Sequence, residues 1–300
     1  MTSFIYDEYG YIVEGEKNEF EYQGYDFKLV AHDKTEEEVK VLQETLSNLK
    51  ESMPFPINGN IVESRNHELV VENEFGPVSL IAFKHQEYNP NAVFEMMRLG
   101  KDYKKQDKFT ISDLIELWEE KIALIEEKYM EAISIDDYAY PVLNTETIYA
   151  LGLANNAVAY LVDIKYDYGE EMNDLTMVHR RLNSLYAIDL FNPFNIVLDT
   201  QARDIAYLFN LGELNEYDVL KAIQNFQFSP KEVSLLVARL LFPTYTFDLL
   251  EDQYNIKKDI KKELLAKYKN SITVLKRISS LMSILVKQYS IRPIEWLLKI

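Results

Sequence analysis

The hydrophobic period of this chain changes once, and that change limits the folds open to it. Between Phe20 and Phe83 large apolar residues alternate with polar ones, the period of strands, whereas beyond about Asn91 they recur every three or four positions, the period of helices. Phe20-Glu21-Tyr22 and Tyr25 to Val30 flank Gln23-Gly24 and read as a hairpin. Thr35-Glu36-Glu37-Glu38 then supplies a capping box with an acidic first turn, and Val39, Leu42, Leu46 and Leu49 continue an amphipathic helix over residues 35–51, ended by Pro54 and Pro56. A second hairpin is expected from Asn60 to Ser64 and Glu68 to Asn73 across Arg65-Asn66-His67, with a further strand from Pro77 to Phe83. Strands, one helix and more strands is the order of a small α+β lobe.

The helical part has its own punctuation. Thr110-Ile111-Ser112-Asp113 opens a helix with Leu114, Trp118, Ile122, Ile125 and Tyr129 on one stripe, and an Ala- and Leu-rich helix is expected over residues 145–164, buried on several sides. Ser229-Pro230-Lys231-Glu232 combines a Ser cap, Pro at the first helical position and Glu three residues after the cap. The helix it starts carries Val233, Leu236 and Leu240, kinks at Pro243, and continues with Phe247 and Leu250. A final helix over residues 257–288 would turn Ile260, Leu264, Tyr268, Ile272, Leu275, Leu281 and Leu285 inward. The expected division is a small lobe over residues 1–88 and a helical lobe over residues 89–300.

Composition narrows the chemistry. With no cysteine the chain has no disulfide, thiolate nucleophile or Cys-based zinc site, which fits cytosolic synthesis. His32, His67, His85 and His179 are scattered and form no HExxH-type pair, which argues against a transition-metal enzyme. No window supplies the ~20 apolar residues of a membrane span, and the N-terminus lacks the layout of a secretory signal. The net charge of −17 is unevenly spread, since residues 255–300 hold 11 Lys and Arg against 3 Asp and Glu. Such a basic end is either a solvated helix face or a docking surface for an acidic partner or another copy of the chain. The acidic remainder excludes nucleic acid as the main ligand.

Between Leu175 and Asp204 polar residues and short apolar runs alternate without helical period, as a catalytic loop on a helical lobe would, or as a plain hairpin would. Val178-His179-Arg180-Arg181-Leu182 has the look of a phosphotransferase loop, in which an Asp two residues after the His takes the proton of the attacking hydroxyl. Arg181 stands at that position. A guanidinium stays protonated and can neither accept a proton nor hold Mg²⁺. Either catalysis is lost, with no catalytic residue in the loop, or the register differs and another residue such as Asp189 is the base. Asp189 and Asp199 are the carboxylates placed where a metal ligand could sit, although one Asp alone would hold Mg²⁺ weakly. His179 either orders the loop backbone or is a His of no consequence. Asp204 would cap the helix starting at Ile205 and bond back towards His179.

Several segments resemble the kinase-like spore coat proteins, the CotS family and its YutH-type branch. They are Tyr9-Gly10-Tyr11, Tyr25 to Val30, Asp199 to Ala206 with Arg203-Asp204-Ile205-Ala206, Ala238-Arg239-Leu240-Leu241-Phe242-Pro243, and Ile294-Glu295-Trp296-Leu297. Thr200, Gln201 and Ala202 depart from the family's usual His-Pro-Ser. The resemblance implies an α+β, two-lobed protein-kinase-like fold related to aminoglycoside and choline phosphotransferases, with a small mainly-β N-lobe and a large mainly-α C-lobe. It makes Lys28 the phosphate-contacting lysine, with Glu38 or Glu44 as helix partner, unless Lys28 is simply solvated beside Phe27 and Leu29. Arg203 would join His179 and Asp204 in ordering the loop. Tyr9 to Gly15 makes a poor phosphate loop, because Glu14 would repel a triphosphate. What the resemblance implies is a spore coat-associated pseudokinase needing no cofactor, made in the cytoplasm, with coat proteins or itself as partner through the basic C-terminal helix. The alternative is an active small-molecule phosphotransferase using ATP and Mg²⁺.

Overall fold

In the computed structural model the described residues are 4–13, 18–100, 109–129, 140–172, 175–256 and 259–300. They form two compact units: residues 1–104 with 175–204, and residues 105–174 with 205–300. The loop segment 175–204, expected within a lobe spanning 89–300, thus belongs to the same unit as the sheet.

The first unit is built on an antiparallel sheet of order β1-β2-β5-β3, from β1 (Glu19–Tyr22), β2 (Tyr25–Ala31), β3 (Gly59–Val62) and β5 (Gly76–Lys84), with β4 (Val71–Asn73) also paired to β5. The β1–β2 hairpin turns at Gln23-Gly24, both in the left-handed region. The expected pairing of residues 60–64 with 68–73 does not form. β3 pairs with residues 80–83 of β5 and β4 with residues 76–78, because the intervening chain closes on itself: the Ser64 amide donates to the Glu68 carbonyl (2.8 Å) and the His67 amide to that of Ser64 (3.0 Å). The apolar side chains on either side of the turn thereby share one central strand.

Alternation along β2 and β5 splits the sheet into two faces. Phe27, Leu80 and Ala82 lie in one cluster with Val71, Tyr9 of α1 (Phe4–Tyr9), Tyr11 and Phe20. Lys28, in register with Ile81, points to the other face. α2 (Glu36–Ser52) follows β2 and begins in the expected capping box, Thr35 accepting from the Glu38 amide and Glu38 from the Thr35 amide. α3 (Pro90–Leu99) ends at Gly100, where a Cβ would lie 2.4 Å from the Met177 nitrogen. That glycine lets α3 approach β6 (Thr176–His179), whose Thr176 hydroxyl donates to the Met97 carbonyl. β6 pairs with β7 (Ile196–Asp199), and between them lies α6 (Ala187–Leu190). α7 (Ala202–Leu211) leads out of the hairpin.

The second unit is helical. α5 (Tyr140–Tyr168) packs with α4 (Ile111–Leu124), α9 (Pro230–Leu241), α10 (Thr244–Ile256) and α11 (Lys261–Tyr289). By length and apolar content α5 would suffice to cross a membrane, yet Glu146 and Thr147 are among its buried residues, and helices pack along it as around a core helix. The expected stripe of Leu114, Trp118, Ile122 and Ile125 is buried, while the side chain of Tyr129 lies outside the described residues. The Ser229 cap and its box with Glu232 form, and the chain bends by 40° between α9 and α10 around Pro243. α8 (Glu216–Phe226) completes the described α-helices. On α11, Leu264, Leu275, Leu281 and Leu285 are buried, but Tyr268 and Ile272 are exposed, at 41% and 58%, contrary to the expected inward stripe. The 29 residues of α11 outrun the partners available to a strict stripe.

Candidate functional site

His179 closes β6 and is fully buried with Asp204. The Asp204 carboxylate accepts from the His179 amide (3.0 Å) and, through its other oxygen, from Nδ1 of the ring (2.7 Å). Nε2 lies 2.8 Å from the Leu190 carbonyl. A carbonyl only accepts and the carboxylate is an acceptor, so both ring nitrogens need a proton to satisfy the two contacts: the geometry selects the imidazolium. Burial alone would lower the His179 pKa; the charge of Asp204 and the bonds to Asp204 and Leu190 outweigh it, and the balance is upward. The ring is therefore a cation fixed in place. With no free nitrogen it cannot act as a base.

The next residues hold the loop backbone through Asn195. The Arg180 amide donates to the Asn195 carbonyl (2.6 Å), and the Asn195 side chain takes the Arg181 amide (2.9 Å) and donates to the Arg181 carbonyl. Arg181 itself donates to the Arg180 carbonyl at 2.8 Å. In the His-Arg-Asp kinase signature an Asn follows the His by about seven positions. Here the Asn that grips the loop stands at 195, and the extra length is spent on α6. Sequence alone assigns no role to Asn195 at the start of Asn195-Ile196-Val197-Leu198-Asp199, although Asn192-Pro193-Phe194-Asn195 before an apolar run was the available signal.

Both candidate carboxylates are engaged by neighbouring side chains. Asp199 is buried; one oxygen accepts from the Thr200 amide (2.6 Å) and the other from the Arg203 guanidinium (2.8 Å). Arg203 also donates to the Arg180 carbonyl at 2.8 Å, so it neutralises Asp199 and holds the loop backbone at once. Asp189, in α6, accepts from the Ser184 hydroxyl (2.6 Å) and lies 3.8 Å from Lys28 Nζ. Lys28 is half-buried and also pairs with Glu19 at 2.6 Å. The expected helix partners are elsewhere: Glu38 is occupied by Thr35, and the exposed Glu44 forms no ion pair with Lys28 among the described residues. Gly10, with positive φ, caps α1 by donating to the Ile5 and Tyr6 carbonyls, whereas Glu14 and Gly15 lie outside the described residues.

The other histidines sit apart from this hairpin's centre. His32 accepts from the Lys34 amide through Nδ1, which leaves Nε2 to bond Ser79 and makes the ring neutral; its pKa is lowered, first by burial. Glu21, Asp26 and His85 bring one ligand atom each within 4.8 Å of one another on the exposed surface, a set that could hold a divalent ion.

Comparison with solved structures identifies the class of fold. A spectinomycin phosphotransferase, solved in complex with ADP and spectinomycin, aligns with a TM-score of 0.53 at 10% identity over 88% of this chain and 90% of that one. An aminoglycoside phosphotransferase from Alicyclobacillus acidocaldarius aligns at 0.48, with 12% identity and 92% of both chains covered. The fold is α+β and phosphotransferase-like, that is, protein-kinase-like. Within that class the chain belongs to the family described as spore coat putative kinase YutH, whose profile matches residues 2–283. The endospore coat-associated protein YutH of Bacillus subtilis (strain 168) is 32% identical over 123 residues, a stretch that spans 35% of this chain and only 35% of that protein.

Proposed function

We propose that this chain is a kinase-fold component of the spore coat that transfers no phosphate and serves coat assembly as a structural or interaction partner. The observation that carries the reading is the double loss at the hairpin. Arg181 stands where the base belongs, and Asp199, the better placed metal ligand, has its two oxygens engaged by Thr200 and Arg203. A metal would have to displace a guanidinium from a buried carboxylate, against the preference of buried charges to stay paired. Thermal unfolding with ATP and Mg²⁺ tests this: a ligand at a hundred times its Kd adds about 2.7 kcal/mol, so tight nucleotide binding would be plain. The expected result is no shift and no turnover. Arg181→Asp alone should restore neither, because Asp199 remains engaged. Saturable Mg²⁺-dependent turnover that is lost on replacing Asp189 or Asp199 would establish the active-enzyme alternative instead.

For partner docking the supporting feature is on α11, where Lys262, Lys269, Lys276 and Lys287 are exposed. The first three are seven positions apart and so share one face. An acidic partner or the acidic remainder of a second copy complements such a stripe. Lys257 and Lys258, part of the same basic region, lie outside the described residues. Charge reversal at Lys262, Lys269 and Lys276 should reduce spore association or self-association, and unchanged behaviour in both would refute the docking role.

A further inference from the structure

The segment between Arg181 and Asn195 does more than lengthen a loop. It lies along the chain that leaves β5 and reaches the sheet face bearing Lys28. The Tyr88 amide donates to the Leu185 carbonyl (2.9 Å), the Ala187 amide donates to the Gln86 carbonyl (2.9 Å), and Glu87 and Tyr186 form an antiparallel bridge. Tyr186 packs on His85, and Phe191 meets Tyr88 edge-on with ring centroids 5.1 Å apart. Two residues beyond this pairing Asp189 approaches Lys28, its carboxylate steadied by Ser184. Leu185, Ala187, Leu190 and Phe191 are buried.

These contacts fall into three kinds. An extended backbone edge offers an amide donor at Tyr88 and a carbonyl acceptor at Gln86; aromatic rings supply apolar walls; a lysine on the neighbouring strand supplies a cation. A nucleoside phosphate would call on the same three, its base edge on the donor and acceptor, its ring on the aromatics and its phosphate on the lysine. The chain satisfies each of them from within.

We propose that residues 184–191 are a tethered occupant of a nucleotide-type site, a built-in pseudo-ligand that pairs with Gln86 and Tyr88 and turns the Asp189 carboxylate to Lys28 in place of a phosphate. The proposal deepens the inactive reading and rests on it. It makes exclusion of nucleotide a consequence of occupancy, separate from the loss of base and metal ligand. An occupant in place in all but about one molecule in a hundred lowers the apparent affinity of a competing ligand about a hundredfold.

The test uses the full chain with ATP, with and without Mg²⁺, read by calorimetric titration and by hydrogen exchange of peptides covering residues 85–88 and 184–191. Wild-type protein should bind no ATP at millimolar concentration, with both peptides protected. Asp189→Ala should speed exchange at residues 184–191 and raise ATP affinity at least tenfold, and adding Lys28→Ala should abolish the gain. A second variant, residues 183–189 replaced by a Gly-Ser link and shown to melt cooperatively, should bind ATP in the same Lys28-dependent way. Either variant with the segment opened, folded and still unable to take ATP would overturn the proposal. So would wild-type protein that binds ATP while residues 85–88 stay protected. Turnover by the wild type defeats the inactive reading, whereas binding without displacement defeats this inference, so the two failures are distinguishable.

Discussion

Each unit buries an acid that feels the charge of a base, and the two pairs are finished to different degrees. At His179 and Asp204 the ring nitrogens, the His179 amide and both carboxylate oxygens are engaged in a closed set reaching the Leu190 carbonyl. At Glu146 of α5, 2% exposed, one carboxylate oxygen has no hydrogen-bond partner among the described residues; Lys267 of α11 acts through its charge and Ser271 through a hydrogen bond. The pKa directions follow. Partners outweigh burial at His179 and the charged form wins. At Glu146 burial dominates, the opposing pull of Lys267 and Ser271 is too small, and the carboxyl is pushed up to about 7. Burial by itself does not set the protonation state; the completeness of the partner set does.

The largest expected effect breaks the complete pair. Asp204→Ala leaves Nδ1 of the buried His179 ring and the buried His179 amide without acceptors, and the ring without its counter-charge, and should cost about 3–5 kcal/mol in urea unfolding. Asp204→Asn keeps an oxygen for one of the two donors and should cost visibly less. If both variants match the wild type, His179 is not held as a cation and the comparison fails.

Next comes the pH dependence of the incomplete pair. Glu146 has a folded pKa above its unfolded one, so the folded chain binds the extra proton between them, and this group's contribution to stability falls as pH rises from about 4.5 to about 7. At 1.36 kcal/mol per unit the wild type should lose at most about 3 kcal/mol across that window through this group. Glu146→Gln should remove that part of the slope and gain stability relative to wild type at pH 8 compared with pH 5. His179 loses its contribution in a higher window, from its unfolded value near 6.5 up through its raised folded pKa, and Glu146→Gln should leave that part of the curve in place. Melting curves at fixed ionic strength from pH 4.5 to 9 separate the two.

The difference between the pairs also explains what could be read from the chain. Local signals were legible: Thr35 with Glu38 and Ser229 with Glu232 announced their helices, and Gln23-Gly24 announced its hairpin, because a cap or a turn depends on residues within a few positions. Asp204 bonds back to His179 but does not cap a helix starting at Ile205: α7 begins at Ala202, which places Asp204 inside its first turn. Pairings across the chain left no such trace. β3 and β4 both choose β5, although a turn lies between them, because packing on the central strand decides. Lys28 meets Asp189 from far along the chain, and no period or spacing links them. Glu146 looked like one polar residue in an Ala-rich helix. Only the packing of α11 against α5 turns it into a titrating group.

The smallest effect sharpens the comparison at Ser271. Its hydroxyl carries one proton and faces two acceptors, the Tyr268 carbonyl at 2.8 Å and the Glu146 carboxylate. A proton spent on the backbone is unavailable to the acid, which is one reason the Glu146 pair stays incomplete while Asp204 draws on an amide and a ring nitrogen with no competing acceptor shown for either. Ser271→Ala removes a bond that lowers the Glu146 pKa, so the midpoint of the acid-side transition should move to higher pH. The accompanying loss of stability at pH 8 should be about 0.5–1.5 kcal/mol, the net worth of one hydrogen bond. In the Glu146→Gln background the midpoint shift should vanish, since no carboxyl remains to titrate. A shift that survives there would place the titrating group elsewhere and remove Glu146 from the comparison.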